Sequence, residues 1–400
     1  MIQPADPATT GELHMAPAPT SFRDLAPAAR RGLLETVKTE ALSRGMTISD
    51  RAMELLGGPG QLTIHEYPTT GGITLVLPED VYINAPFDEW FCAGSELVLD
   101  LDDDRLAIRA PDGLVPVERV VPLPGYLDAA DSSGRAVRDT VMSHADRLRI
   151  SPIVGCAYDC GFCDLALLPY RRRPIEQLLA AMDIARRDSL LPTRHLLISG
   201  GSPGAREFDQ SYFLETCSAV VEAARAGGPD DVGPLEVDIM MSARPHGEAF
   251  VDELVRIGVH GFAFNVELFS EEASIAYTRR KHVRARPYLE GMITRAVELL
   301  GRGTGRVRSL IVVGLEPVTS ALAGVEWLAA LGCDPVLSPF RPAQGTRLAG
   351  LESPSSELLR ELLDRSRPIV AAHGVHLGPD CVPCQHNTLT FPWDTAGGSD

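Results

Sequence analysis

From residue 148 to about residue 370 the chain alternates apolar runs with helical segments six times, and no other feature limits its fold as tightly. The runs are LRISPIVG (148–155), RHLLISGG (194–201), LEVDIMMSA (235–243), GFAFNVEL (261–268), VRSLIVVGL (307–315) and DPVLSPF (334–340). Segments with helical spacing follow them: 174–188, 211–226, 247–258, 288–301, 319–332 and 355–374. A strand, a crossover helix and another strand pair in parallel with a right-handed connection. Six such units predict an α/β fold, a partial (β/α)6 TIM-type barrel over 148–370, with its chemistry on the loops after the strands.

The upstream half has another character. Residues 1–22 lack a basic flank followed by an apolar stretch, so they read as a disordered tail rather than a targeting segment, and the chain as cytoplasmic. Two helices are expected at 22–45 and 49–58. Short β-rich runs then follow at 61–68, 72–78, 80–86, 95–111 and 113–124, broken by Gly, Pro and Asp. These segments predict a small α+β accessory domain over 23–128, rich in strand, followed by a linking helix over 129–147. No uncharged apolar run approaches the roughly 18 residues of a membrane span. A formal net charge of −17 disfavours nucleic acid as a partner.

The first barrel strand runs into CAYDCGFC, which places Cys156, Cys160 and Cys163 on one tight loop. Three thiolates do not complete a tetrahedral zinc site, but they suit three corners of a cubane cluster and leave the fourth iron open. A zinc knuckle that borrows a fourth ligand is the plainer alternative.

This C-x3-C-x2-C loop after a first barrel strand resembles the radical S-adenosylmethionine (radical SAM) superfamily, and the resemblance spans about residues 148–345. It implies a [4Fe–4S] cluster on Cys156, Cys160 and Cys163, with SAM on the open iron. It implies reductive cleavage of SAM to a 5′-deoxyadenosyl radical that abstracts hydrogen from a substrate, fed by an external electron donor such as flavodoxin or ferredoxin. Phe162 corresponds to the family's aromatic residue near adenine. SGGSP, with Gly200, Gly201, Ser202 and Pro203, stands where the family has a GGE-like motif for the SAM amino group, although Ser202 replaces the glutamate. Asn265 and Glu267 fit the ribose-binding position, Arg279 or Arg280 can pair with the SAM carboxylate, and Gly314 resembles the fifth-strand glycine beside adenine.

A second group, PDCVPCQHN, offers Cys381, Cys384 and His386 in the tail 371–400. Three readings stand: an auxiliary iron–sulfur cluster or zinc site, with Cys217 or Cys333 as further ligand; a catalytic thiol at Cys384 or Cys381; or a structural plug. Tyr170 is a further catalytic candidate, and Asp164, Arg171, Arg244, Ser338 and Arg341 are candidate pocket residues at or beyond strand ends. The expected substrate is a small polar metabolite of cofactor or natural-product biosynthesis. A peptide substrate held by the β-rich domain is one alternative, and a non-catalytic iron–sulfur sensor is another.

Overall fold

The computed structural model describes residues 22–62, 71–204, 208–226, 235–281 and 285–395. The expected tail before residue 22 and nearly all of the run at 61–68 lie outside these residues.

The N-terminal part opens with α1 (Pro27–Arg44), followed by β1 (Thr47–Ile48) and α2 (Asp50–Leu55), whose first turn is capped by the Ser49 hydroxyl. Then come β2 (Ile73–Leu77), β3 (Val81–Ala85), β4 (Val98–Asp102), β5 (Arg105–Ala110), β6 (Gly113–Pro116) and β7 (Arg119–Val120). They form two small sheets, ordered β1-β4-β5-β6 and β3-β2-β7. Their apolar faces join one continuous core with the barrel, running from Phe22 to Phe391.

No helix occupies 129–147. The stretch holds a 3-10 turn at Val137–Asp139 and strand β8 (Val141–His144), which turns at Ala145 and Asp146 into β9 (Arg147–Ile150). Val141, Met142 and Ser143 are all buried in this hairpin, and tertiary pairing overrides the helix-forming Ala and Arg around it. The first apolar run is also split, because β9 ends at Ile150 before Pro152, which has no N–H to pair. A short β10 (Ile153–Val154) then pairs with β11 (Arg171–Arg172) across the base of the cysteine loop.

The other five strands fall where the alternation places them: β12 (His195–Ile198), β13 (Glu236–Met240), β14 (Gly261–Ala263), β15 (Val307–Val313) and β16 (Asp334–Pro339). With β8 and β9 they form a curled seven-stranded half-barrel, ordered β16-β15-β14-β13-β12-β9-β8, parallel except for β8. The expected crossover helices are α3 (Ile175–Arg186), α4 (Gln210–Arg225) and α5 (Glu248–Ile257), then α7 (Arg286–Leu300), α8 (Val318–Leu331) and α9 (Ser356–His373). A short α6 (Glu271–Tyr277) was not expected. Ser270 caps it, and the buried Glu316 accepts from the Phe269 and Ser270 amides.

The described part of the tail, to Thr395, does not cover the mouth at the strands' C-terminal ends. It runs beside β16, where Gly378 N donates to Pro335 O (2.7 Å) and Leu389 N to Leu337 O (2.8 Å). From there it reaches across to the β8–β9 turn. No described helix is long and apolar enough to cross a membrane.

Candidate active site

The cysteine loop leaves β10 at Gly155, whose backbone is left-handed (φ 65°), and then meets the end of β12 at very close range. A Cβ on Gly201 would lie 1.5 Å from Gly155 O, so only glycine fits there. The contact is fastened on both sides. Ala157 N donates to Ser202 O (2.9 Å), and Ser202 N donates to Cys156 Sγ (3.3 Å). From α6, Tyr277 O accepts from Gly161 N (2.7 Å), and Leu348 N donates to Gly161 O (3.1 Å). The three thiols are half-buried, and Cys156 is near enough to Cys160 and Cys163 to help raise their pKa values. Burial pushes the Cys163 thiol up to about 12, and burial with the neighbouring Glu267 raises Cys160 further. Thiols held protonated by burial, as at Cys160 and Cys163, suit groups that ionise when a metal arrives.

Glu267 enters from just past β14 with a left-handed backbone (φ 63°). That conformation is pinned by Glu267 N to Leu310 O (2.8 Å) and by Val312 N to Glu267 O (2.7 Å). Its carboxylate is paired with Lys281 and lies 3.7 Å from Cys160 Sγ. Burial alone would lower the Lys281 pKa, but the Glu267 charge, followed by Cys160, holds it above its ordinary value. Lys281 was not foreseen, although it sits in the same RRK run as the two candidate arginines.

Arg279 and Arg280 are both exposed. Arg280 braces the loop from outside, with its Nη1 on Ala157 O (3.3 Å) and its backbone N on Asp159 Oδ1 (3.2 Å). Arg244 is placed differently. It follows β13, stacks its guanidinium over Phe208 (3.2 Å to the ring centroid), and keeps Nε and Nη1 buried with no hydrogen-bond partner. Burial pulls its pKa down to about 10. It lines a pocket of about 380 Å³ with Tyr158, Gly200, Gly201, Ser202 and Pro203.

A larger cavity of about 970 Å³ runs through the half-barrel. Phe162, Cys163 and Glu267 line one end, and Ser199, Asn265, Ser338, Arg341 and the Asp238–Arg308 ion pair line its length. Asn265 spends its Oδ1 on Leu310 N (3.2 Å). Gly314 lies past β15 against Pro354 and lines neither space. Tyr170 packs on the main core, and it too lines neither space, as do Asp164 and the exposed Arg171.

Residues 150–320 match the sequence profile of the Radical SAM superfamily. They form a radical SAM domain. The three-cysteine loop and the strands from β10 to β15 lie within the matched residues. Similar solved structures include the [FeFe]-hydrogenase maturase HydG, at 14% identity over 56% of this chain and 49% of that chain, with a TM-score of 0.43. SuiB of Streptococcus suis, bound to its precursor peptide SuiA, aligns at 15% identity over 59% and 48%, with a TM-score of 0.45. A radical SAM methyltransferase from Sphaerobacter thermophilus aligns at 18% identity over 73% and 81%, with a TM-score of 0.43. The chain spans about half the length of the first two. No curated protein matches the chain.

The family implies a [4Fe–4S] cluster and SAM, and the residues present fit them. The loop supplies three thiols, the Gly201 backbone leaves a cradle that a Cβ would fill, and Arg244 points unpartnered buried donors at the adjoining pocket.

The tail residues fall in two places. Cys381 and Cys384 meet His195, the first residue of β12, and Asp146 from the β8–β9 turn, with all four donor atoms within 4.8 Å of one another. His386 is not among them. Its ring stacks on His144 (5.9 Å between centroids) and its Nδ1 bonds Pro383 O (2.8 Å). Cys217 and Cys333 are buried elsewhere, on α4 and just before β16. His195 and Asp146 were not foreseen.

Proposed function

We propose that this chain is a radical SAM enzyme that acts on a small polar metabolite of cofactor or natural-product biosynthesis. The cavity of about 970 Å³ that begins at Cys163 and Phe162 carries the reading. It lies inside the half-barrel and presents hydroxyl, amide and paired charged groups, as a compact polar substrate requires. A peptide substrate would need an open groove beside the loop.

Cys156, Cys160 and Cys163 would hold the cluster. The backbone at Gly200–Pro203 would receive the SAM amino group, Arg244 its carboxylate and Glu267 its ribose. A guanidinium suits a carboxylate as a bidentate partner, and an anionic carboxylate suits a pair of hydroxyls. Lys281 fixes Glu267, while Arg280 and Arg347 fix the loop through Ala157 O and Asp159 O. Bound cluster and SAM together supply a hydrogen-abstracting 5′-deoxyadenosyl radical, after an electron from a donor such as flavodoxin or ferredoxin.

The test is release of 5′-deoxyadenosine by anaerobically reconstituted, reduced protein. The wild type should release it, faster with the small-molecule fraction of a cell extract. Cys156→Ala, Cys160→Ala and Cys163→Ala should release none while remaining folded. Normal release by any of these variants, or none by the wild type, refutes the reading. Arg244→Met should retain iron yet bind SAM at least tenfold more weakly, and unchanged affinity would remove Arg244 from the site.

A further inference from the structure

We infer that Asp146, His195, Cys381 and Cys384 form a mononuclear zinc site that rivets the C-terminal tail to the floor of the barrel cavity. Three segments far apart in sequence converge there: the β8–β9 turn, the first residue of β12 and the tail. Cys384 Sγ lies 3.3 Å from His195 Nε2, while Cys381 Sγ lies 3.9 Å from His195 Nδ1 and 3.7 Å from Asp146 Oδ1. A tetrahedral ion with Zn–S bonds of about 2.3 Å and Zn–N or Zn–O bonds of about 2.0–2.1 Å sets its donors roughly 3.3–3.8 Å apart. The Cys384–Nε2 and Cys381–Asp146 spacings match those edges, the ring's other nitrogen faces Cys381, and all four donor atoms lie within 4.8 Å of one another. The thiolates of a cubane cluster each ride a separate iron and stand wider apart, so the spacing selects one ion.

The donor set points the same way. Two thiols, an imidazole and a carboxylate make a complete four-coordinate set of mixed softness, which suits zinc better than hard oxygen-seeking cations. Cys384 N donates to Cys381 O (2.9 Å), closing the tight turn that brings both sulfurs to one point. With both thiols ionised and Asp146 charged, the site would carry a net negative charge around the ion. Arg147 answers it, its Nη1 lying 3.9 Å from Cys384 Sγ, and Arg308 feels both thiols from further along the cavity. Four protein donors leave no open position, which marks a structural site. What it holds is clear from the tail: Pro379 to Cys384, Asn387 and Thr388 line the cavity floor, and Leu389 and Phe391 beyond them enter the main core.

The site is independent of SAM chemistry, and the experiment separates the two. Full-length protein grown with zinc and then reconstituted with iron and sulfide should hold one zinc per chain besides the iron of the three-cysteine loop. Cys381→Ser/Cys384→Ser and His195→Ala should lower zinc at least tenfold and leave iron unchanged, while Cys156→Ala should lower iron and leave zinc unchanged. Asp146→Asn, a milder change, covers the case in which those variants fold poorly. It should weaken zinc retention against a chelator at least tenfold and raise protease cleavage of the tail. Cobalt put in place of zinc should give intense tetrahedral and thiolate charge-transfer absorption. Iron that doubles and depends on Cys381 and Cys384 would overturn the proposal in favour of an auxiliary cluster. Zinc absent from the wild type, or zinc indifferent to His195→Ala, would overturn it as well.

Discussion

Gly201→Ala is the sharpest test of how the cysteine loop is held. The added Cβ would stand 1.5 Å from Gly155 O, 2.6 Å from Gly155 C and 3.0 Å from the Cys156 Cα, all backbone atoms without a rotamer to relieve them. Ordinary contact begins near 3.4 Å, so loop and strand end must part by about 2 Å. Overpacking of this kind costs roughly 1–3 kcal/mol, so the melting temperature should fall by several degrees and no more. The site suffers more than the fold. Cys156 is tied to this backbone through Ser202 N (3.3 Å) and moves with the loop. Metal–ligand bonds tolerate about ±0.2 Å, a tenth of that displacement. Anaerobic reconstitution should therefore yield less than half the wild-type iron and sulfide, with matching loss of visible absorption, while circular dichroism stays native. Gly32→Ala is the control, on the exposed face of α1 with open space around it. It should keep full iron and gain up to about 1 kcal/mol in helix propensity. Full iron and normal SAM cleavage in Gly201→Ala would refute the claim that this contact sets the loop's position.

Two further outcomes are expected. Glu267→Gln keeps the side chain's size beside Lys281 but removes its charge; it should weaken SAM binding by roughly 10- to 100-fold, the equivalent of a charge-assisted hydrogen bond of about 1.5–3 kcal/mol, and unchanged affinity in calorimetry would assign Glu267 to structure. Lys38, fully buried on α1 with its ammonium on Thr390 O and over Phe391, has its pKa lowered by burial from 10.5 to about 7. Between those two values the unfolded chain holds a proton that the fold has released, so stability rises with pH by up to about 1.4 kcal/mol per unit. Lys38→Met should abolish that slope in urea unfolding at pH 7.5 and 9.5, and an identical slope in both proteins would refute the assignment.

The barrel was legible because each of its six runs carries its own signal, a β-rich apolar core flanked by turn residues and followed by a helix with one apolar face. The hairpin at 141–150 was not, because Val141 to His144 gains its strand only by pairing with β9, and its flanks favour helix. The cysteine loop could be read from spacing alone, since all three donors lie within eight residues. Asp146 and His195 could not, because single residues 49 positions apart acquire meaning only when the fold places them at one rim. The arginines near residue 280 illustrate a different limit. A basic run beside the site suggested an anion partner; the fold has Arg280 brace the loop from outside, while a guanidinium with unpartnered buried donors beside the loop is Arg244, just past β13.

The cavity itself depends on a small residue. Asp238 stands on β13 and Arg308 on β15, with β14 between them, yet the two side chains form a nearly buried ion pair. Gly261 on β14 makes this possible, since a Cβ there would lie 2.5 Å from Asp238 Oδ1. The pair thus crosses the middle strand through a gap left by a missing side chain. A closed barrel fills its centre with layers of bulky aliphatic residues. This half-barrel lines its centre with a bridged pair, Ser338 on β16, Ser199 just past β12 and the small Ala263 beside the aliphatic Leu197, Leu310 and Val336, which leaves a space between the cysteine loop at one rim and the tail at the other. Burying that pair costs desolvation that only close mutual contact offsets. A chain that keeps a charged pair there beside its aliphatic residues gives up stability, and in return its lumen keeps a polar group in reach of whatever enters it.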